Sequence, residues 1–194
     1  HLRNIEFCND TRSALRCIET LGAEVRQEDA ATLVIRGGLR PRGDRLHIGE
    51  SGLATRLFTP VAALCNTPIR IEGEGSILDR PMRMMVEPLR SLGVEITATK
   101  GYLPIRVCGP MRGGEVSVDG SVSSQFITGL LLALPRAAED TTLYVRRAVS
   151  TPYLDMTLDT AGRFGIEISQ RDYEEFYIPG GQHYEATDFA IEGD

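Results

Sequence analysis

What this chain lacks narrows its chemistry before any motif is considered. Cys8, Cys17, Cys65 and Cys108 form no CxxC and pair with no histidine, so neither a metal cluster nor a disulfide framework is expected. Reduced, mostly buried thiols are expected instead. His1, His47 and His183 have no ligand spacing, and no metal site is predicted. Neither a GxSxG elbow nor a Ser, His and Asp set is visible, which removes support from hydrolase chemistry. GxGxxG is absent, as is GxxxxGK followed by Ser or Thr, so the usual nucleotide cradles are unsupported. No apolar run reaches the roughly 18 residues that span a bilayer, and no charged-then-apolar signal segment opens the chain. A cytoplasmic location without membrane contact is therefore expected. The net charge of −6 and the lack of any dense Lys/Arg block argue against general nucleic-acid binding, although local arginines remain available for small anions.

What is present is a globular chain of 194 residues, 42% apolar, with an internal repeat. ETLGAEVRQ at 19 to 27, RSLGVEITA at 90 to 98 and GRFGIEISQ at 162 to 170 share one pattern. In each, glycine ends an amphipathic helix where a left-handed cap is needed, and alternating strand residues follow: Gly22, Gly93 and Gly165 recur at intervals of 71 and 72 residues. A second pattern runs out of phase: LHIGESGLATRLFTPVAAL at 46 to 64 matches VSVDGSVSSQFITGLLLAL at 116 to 134, and FAIEGD at 189 to 194 begins a third copy.

Apolar periods of about 3.6 and 2 predict helices over Asp10–Leu21, Gly52–Cys65, Pro81–Leu92, the serine-capped stretch ending at Pro135, and Pro152–Phe164. Strands are predicted at 23–27, 32–36, 45–48, 68–72, 94–99, 105–108, 116–118, 142–146, 166–170, 175–178 and 188–191. The chain before Asp10 reads as a lead into the first helix. Helices such as TGLLLALP and LFTPVAAL are apolar nearly all round and belong at the centre. The fold class is thus α/β (α+β), a pseudo-threefold repeat of helix-and-sheet units with buried central helices. The copy count predicts a third buried helix, capped by Asp194, beyond the sequence in hand.

Matching strand-to-helix turns, Gly49–Leu53 and Asp119–Ser123, should face one end of the domain. A helix start offers unpaired N–H groups and partial positive charge, so Ser123, Ser124 and Gln125, after a cap by Ser121 or Ser123, are placed to hold an anion. Arg56 lies one turn inside the first buried helix. Arg80 closes the glycine-rich loop GEGSILDR, where it either pairs with Asp79 at the surface or presents its planar fork to a carboxylate or phosphate. Ser150 and Tyr153 in VSTPYLD occupy another strand-to-helix turn, where a cap and a half-buried aromatic are the plain alternative.

Taken together, VDGSVSSQF, VSTPYLDMTL, RPM after GEGSIL, and the terminal IEGD resemble the 5-enolpyruvylshikimate-3-phosphate synthase family, the 3-phosphoshikimate 1-carboxyvinyltransferases, across essentially the whole chain. The resemblance implies the enolpyruvyl transferase (RNA cyclase-like) fold. It further implies a two-domain, monomeric enzyme that closes over shikimate 3-phosphate and phosphoenolpyruvate. That enzyme passes the enolpyruvyl group to the 5-hydroxyl without metal or organic cofactor. By position, Ser123, Ser124 and Gln125 resemble the shikimate 3-phosphate contacts, with Gln125 also reaching phosphoenolpyruvate. Ser150 resembles a further phosphate-binding serine and Tyr153 the aromatic beside the shikimate ring; Gly52 and Arg80 resemble the phosphoenolpyruvate contacts, with Arg56 in support.

One turn departs from the family: Glu50, Ser51, Gly52 and Leu53 stand where asparagine, alanine, glycine and threonine are usual. The family's amino-terminal lysine, serine and arginine, and the acid, lysine and arginines of its carboxyl-terminal domain, have no counterparts. Residues 1–194 are therefore expected to be a single amino-terminal domain, truncated at both ends, with no catalytic residue of its own and silent without its carboxyl-terminal partner. Two alternatives remain. A UDP-N-acetylglucosamine 1-carboxyvinyltransferase shares the fold but usually carries a reactive cysteine in the loop that is Gly73–Arg80 here, where there is none. A non-catalytic binding domain of the same repeat architecture is the other.

Overall fold

The computed structural model describes residues 1–192. Along them run β1 (Leu2–Arg3), α1 (Asn9–Leu21), β2 (Glu24–Gln27), β3 (Leu33–Arg36), β4 (Arg45–His47) and α2 (Gly52–Ala62). Then come β5 (Ile69–Glu72), α3 (Val86–Ser91), β6 (Glu95–Thr99), β7 (Tyr102–Cys108), β8 (Gly114–Asp119) and α4 (Ser124–Ala133). The chain continues through β9 (Thr141–Arg146), α5 (Thr151–Arg163), β10 (Ser169–Arg171), β11 (Glu175–Ile178) and β12 (Phe189–Ala190).

The repeat is visible in the strand pairing. Three four-stranded sheets have the orders β4-β5-β7-β6, β8-β9-β11-β10 and β12-β1-β3-β2. In each, the first pair is parallel and the other two pairs are antiparallel. Each of the first two sheets is one continuous unit: strand, inner helix, strand, outer helix, strand, strand. The last sheet joins the two ends of the chain, with β12 beside β1 through Leu2↔Phe189 and Arg3↔Ala190. The expected cap Asp194 lies outside the described residues.

Inner and outer helices differ as their sequences require. In α4, seven residues from Ser124 to Ala133 are buried, among them Phe126, Ile127, Leu130 and Leu131. By contrast α1 buries only Ser13, Cys17 and Leu21, one stripe at a spacing of four. The inner helices α2 and α4 cross at Gly129, where a β-carbon would lie 3.1 Å from Leu57 Cα and 3.2 Å from Pro60 Cγ. Pro60, inside α2, carries no N–H for the Arg56 carbonyl, and Gly129 packs its backbone against that carbonyl. The three repeat glycines are left-handed, with φ of 114° at Gly22, 81° at Gly93 and 78° at Gly165.

Several boundaries moved, each for a local reason. The helix predicted over Pro81–Leu92 is a 3-10 turn at Arg83–Met85 followed by α3, because Pro88 is tolerated in a helix's first turn but not its interior. The helix predicted to reach Cys65 ends at Ala62, since the carbonyls of Ala63 and Cys65 accept N–H bonds from Met111 (2.8 Å) and Gly109 (2.8 Å). Pro135 falls in a 3-10 turn that continues α4. The strand predicted from Ile166 starts at Ser169, because the Gln182 side chain takes the partner's place at Glu167: Glu167 N–H donates to Oε1 at 2.8 Å and Gln182 Nε2 donates to the Glu167 carbonyl at 2.9 Å. Before the first helix, which starts at Asn9, Leu2–Arg3 form β1. A 3-10 turn over Gly75–Asp79 had no sequence prediction. Among the described residues no helix is long and apolar enough to cross a membrane. Cys17 and Cys65 are buried as expected, whereas Cys8 is exposed and Cys108 half-buried.

Candidate functional site

Parallel pairing decides where the loops go. In β4 and β5, Leu46 faces Ile71 and His47 faces Glu72, so the turn into α2 and the Gly73–Arg80 loop leave the same sheet edge. In β8 and β9, Asp119 faces Arg146, so the turns into α4 and α5 also share an edge. The carboxyl ends of parallel strands are where an open sheet leaves room for a ligand. The two edges are joined by a direct bond from Arg56 Nη1 to Gln125 Oε1, 3.0 Å. Residue numbers rise together along α2 and α4 across this bond and the Gly129 contact, so both helix starts lie at one end.

Gly52, Arg56, Arg80 and Gln125 form a single cluster. A β-carbon on Gly52 would stand 2.8 Å from Arg56 Nη1 and 3.2 Å from Arg80 Nη1, so two guanidinium groups border the first residue of α2. Arg56 also donates to the Gly52 carbonyl at 3.2 Å. Burial, and then the neighbouring charge of Arg80, lowers the pKa of Arg56 from its ordinary value. Among the described residues no carboxylate comes within 4.0 Å of either arginine. Arg80 makes no ion pair with Asp79. Two adjacent cations with no carboxylate in contact, Glu50 being felt by Arg80 only at longer range, favour an incoming anion.

The glutamine is oriented by its partner. Arginine can only donate, so Arg56 fixes the Gln125 oxygen toward itself and leaves the amide N–H groups for another acceptor. Ser123 rather than Ser121 caps α4, accepting the Gln125 N–H at 3.2 Å from an extended backbone. Ser121 instead turns back on Asp119, whose Oδ1 accepts its hydroxyl at 2.7 Å and its N–H at 3.0 Å. These bonds, with the ion pair to Arg147, hold the Asp119 carboxyl below the usual carboxylate range. Ser124 is buried at the first turn of α4. On the α2 side, Ser51 is the cap, accepting the Ala54 N–H at 3.1 Å.

Ser150 and Tyr153 share the β8/β9 edge but make no hydrogen bond to the Arg56 and Gln125 cluster among the described residues. Gly120 brings their turn close, since a β-carbon there would meet Val145 Cγ1 at 2.9 Å and Ala148 Cα at 3.0 Å. Ser150 is not the side-chain cap that its position allowed; it sits in the left-handed region at φ 57°, with Arg147 at 56°. Two non-glycine residues in that region within four positions mark a strained turn of the kind found at ligand sites. Tyr153 is 61% exposed, not half-buried, and Val122, Val149 and Met156 at or near the same edge are exposed too.

Sequence reasoning missed two contributors. Glu50 reaches the Gly73–Arg80 loop, accepting the Ser76 N–H at 2.9 Å. The Asp119–Arg147 pair ties the α4 turn to the α5 turn. Only the departure from the family pattern at Glu50 singled that position out, and no signal marked Arg147.

Comparison with known proteins gives consistent results. The family model for EPSP synthase (3-phosphoshikimate 1-carboxyvinyltransferase) matches residues 1–194. The 3-phosphoshikimate 1-carboxyvinyltransferase of Photobacterium profundum is 35% identical over all of this chain and 47% of its own length. That of Pseudoalteromonas atlantica is 37% identical over all of this chain and 48% of its own. The chain thus spans about half the length of the curated relatives it matches. An EPSP synthase structure from Acinetobacter baumannii superposes with a TM-score of 0.84 at 22% identity, over 98% of this chain and 43% of that one, which establishes the enolpyruvyl transferase fold. The family model over residues 1–194 and relatives 35% and 37% identical over all of this chain agree: the chain belongs to the EPSP synthase family.

Proposed function

We propose that this chain is one domain of a 3-phosphoshikimate 1-carboxyvinyltransferase and supplies half of its substrate cleft. The reaction moves the enolpyruvyl group of phosphoenolpyruvate to the 5-hydroxyl of shikimate 3-phosphate and releases phosphate, in the cytoplasm. The observation that carries this reading is the cluster of Gly52, Arg56, Arg80 and Gln125, which has two cations, an oriented amide and no carboxylate in contact. Phosphoenolpyruvate is held there by the Arg80 fork and the free N–H end of α2. Gln125 reaches toward both substrates, because Arg56 leaves its amide donors unused. Ser123, Ser124 and Ser150 hold the phosphate of shikimate 3-phosphate at the starts of α4 and α5, with Tyr153 against the ring.

A carboxyl-terminal domain of the same enzyme is the partner that covers this edge. The exposure of Val122, Val149, Tyr153 and Met156 supports a covered face there. Acid and base groups come from outside this chain, so it binds without turning over. Holding two anions side by side needs cations from both halves, so affinity in the single domain is reduced. Calorimetric titration of the chain with shikimate 3-phosphate, repeated on Ser124→Ala and Gln125→Ala, tests the reading. Binding weakened about tenfold or more in both variants is expected, and unchanged binding in both would refute it.

A further inference from the structure

We propose that Glu50 is a positioning residue, latching the Gly73–Arg80 loop onto the turn that opens α2 and so fixing Arg80 at the anion site. The inference rests on the reading of that site given above. It starts from the contacts that Glu50 makes across the turn that opens α2.

Glu50 Oε2 accepts the Ser76 N–H at 2.9 Å, across 26 residues of chain. Gly75 makes room for it: φ is 63°, and a β-carbon would come 2.8 Å from Glu50 Oε1. Only glycine combines that backbone with that approach. The loop base is fastened to the same turn, with Glu74 N–H donating to the Gly49 carbonyl at 3.0 Å. Gly73 packs there as well, since a β-carbon would sit 2.8 Å from the Gly49 carbonyl oxygen. Ile77, fully buried, anchors the middle, and Arg80 N–H returns to the Ile77 carbonyl at 3.1 Å. Between the base and the buried anchor, the carboxylate is the side chain that holds the exposed Gly75–Ser76 corner. With that corner released, the short 3-10 turn Gly75–Asp79 can unwind, and Arg80 follows it away from Gly52.

The test is nitrogen-edited NMR on the 194-residue chain, titrated with inorganic phosphate and read at Gly52 and Arg80, together with amide exchange at Ser76. Glu50→Ala is expected to raise the phosphate dissociation constant about fivefold or more and to speed Ser76 exchange about tenfold, with a melting temperature within about 2 °C of the parent. Glu50→Gln, which keeps an oxygen for the Ser76 N–H, is expected to stay within about twofold of the parent in both. Unchanged phosphate affinity in Glu50→Ala overturns the latch, as does weaker affinity without faster Ser76 exchange. A Gln variant as weak as the Ala variant overturns it too, since charge rather than the bond would then be at work. If the parent chain shows no phosphate response at Gly52 or Arg80, the anion site itself fails, and the latch with it.

Discussion

The crossing of α2 and α4 at Gly129 joins the fold to the site, and one methyl group tests it. In Gly129→Ala the new β-carbon would drive into the Arg56 carbonyl oxygen and come within 3.1 Å of Leu57 Cα and 3.2 Å of Pro60 Cγ. Two of those atoms are backbone and the third belongs to a closed ring, so none can rotate away and the helices must part. Overpacking a tight core costs about 1–3 kcal/mol, and a backbone clash belongs near 3. Alanine's better helix propensity returns about 1 kcal/mol, leaving a net loss of about 2 kcal/mol. For a chain of this size that is a melting temperature about 4–8 °C lower by circular dichroism. Gly162, in α5, provides the control, because nothing lies within 4 Å of its β-carbon position. Gly162→Ala should therefore gain up to about 1 kcal/mol and melt slightly higher. If Gly129→Ala melts at or above the parent temperature, the helices are not in backbone contact and the reasoning fails. The variant should also weaken anion binding, because parting the helices stretches the bond from Arg56 to Gln125.

Gly52→Ala should leave the melting temperature within about 2 °C, since the methyl group meets the side-chain ends of Arg56 and Arg80 rather than backbone, yet weaken phosphate or phosphoenolpyruvate binding about tenfold by displacing both; calorimetry showing equal affinity would contradict this. Alkylation should follow thiol acidity and exposure. Cys8, exposed and lowered by its hydrogen bond with Thr11, should react first, whereas burial pushes Cys17 and Cys65 up to about 11 and should leave them last in a mass-spectrometric time course. Hydrogen bonds lower the pKa values of Asp29, Glu50, Asp119 and Asp140 in the folded chain. Their stabilisation is complete above the ordinary carboxyl range and lost as pH falls through the folded values, so urea midpoints should hold from pH 7 to 5 and drop below about pH 4. A midpoint that rises on acidification would contradict that sign.

The repeat was legible because the fold obeys it three times: glycines at 22, 93 and 165 take the left-handed caps that their spacing required. The inner helices were legible because TGLLLALP has no polar face to show to water. Boundaries set by distant partners were not. Nothing near Cys65 announces that Gly109 and Met111 will claim the carbonyls ending α2, and nothing near Ile166 announces that the Gln182 side chain will stand in for a strand. At the site, a helix start carrying Ser123, Ser124 and Gln125 and two arginines were readable as anion chemistry, and the resemblance added that Gln125 reaches a second substrate. That Arg56 holds the Gln125 amide, and that Glu50 reaches the loop, depend on contacts across 69 and 26 residues that spacing cannot reveal.

On the proposed reading, two parallel strand edges bridged by Arg56 and Gln125 build one anion site. Crystals of this chain grown with shikimate 3-phosphate test it most directly. The ligand's phosphate is expected among Ser123, Ser124 and Ser150, with Gln125 in contact. A cavity of about 380 Å³ on the β9 side, where Arg146, Arg147 and Arg171 stand among Asp172, Glu174 and Glu175, is the competing location, and ligand density there with the α4 turn empty would be the opposite result.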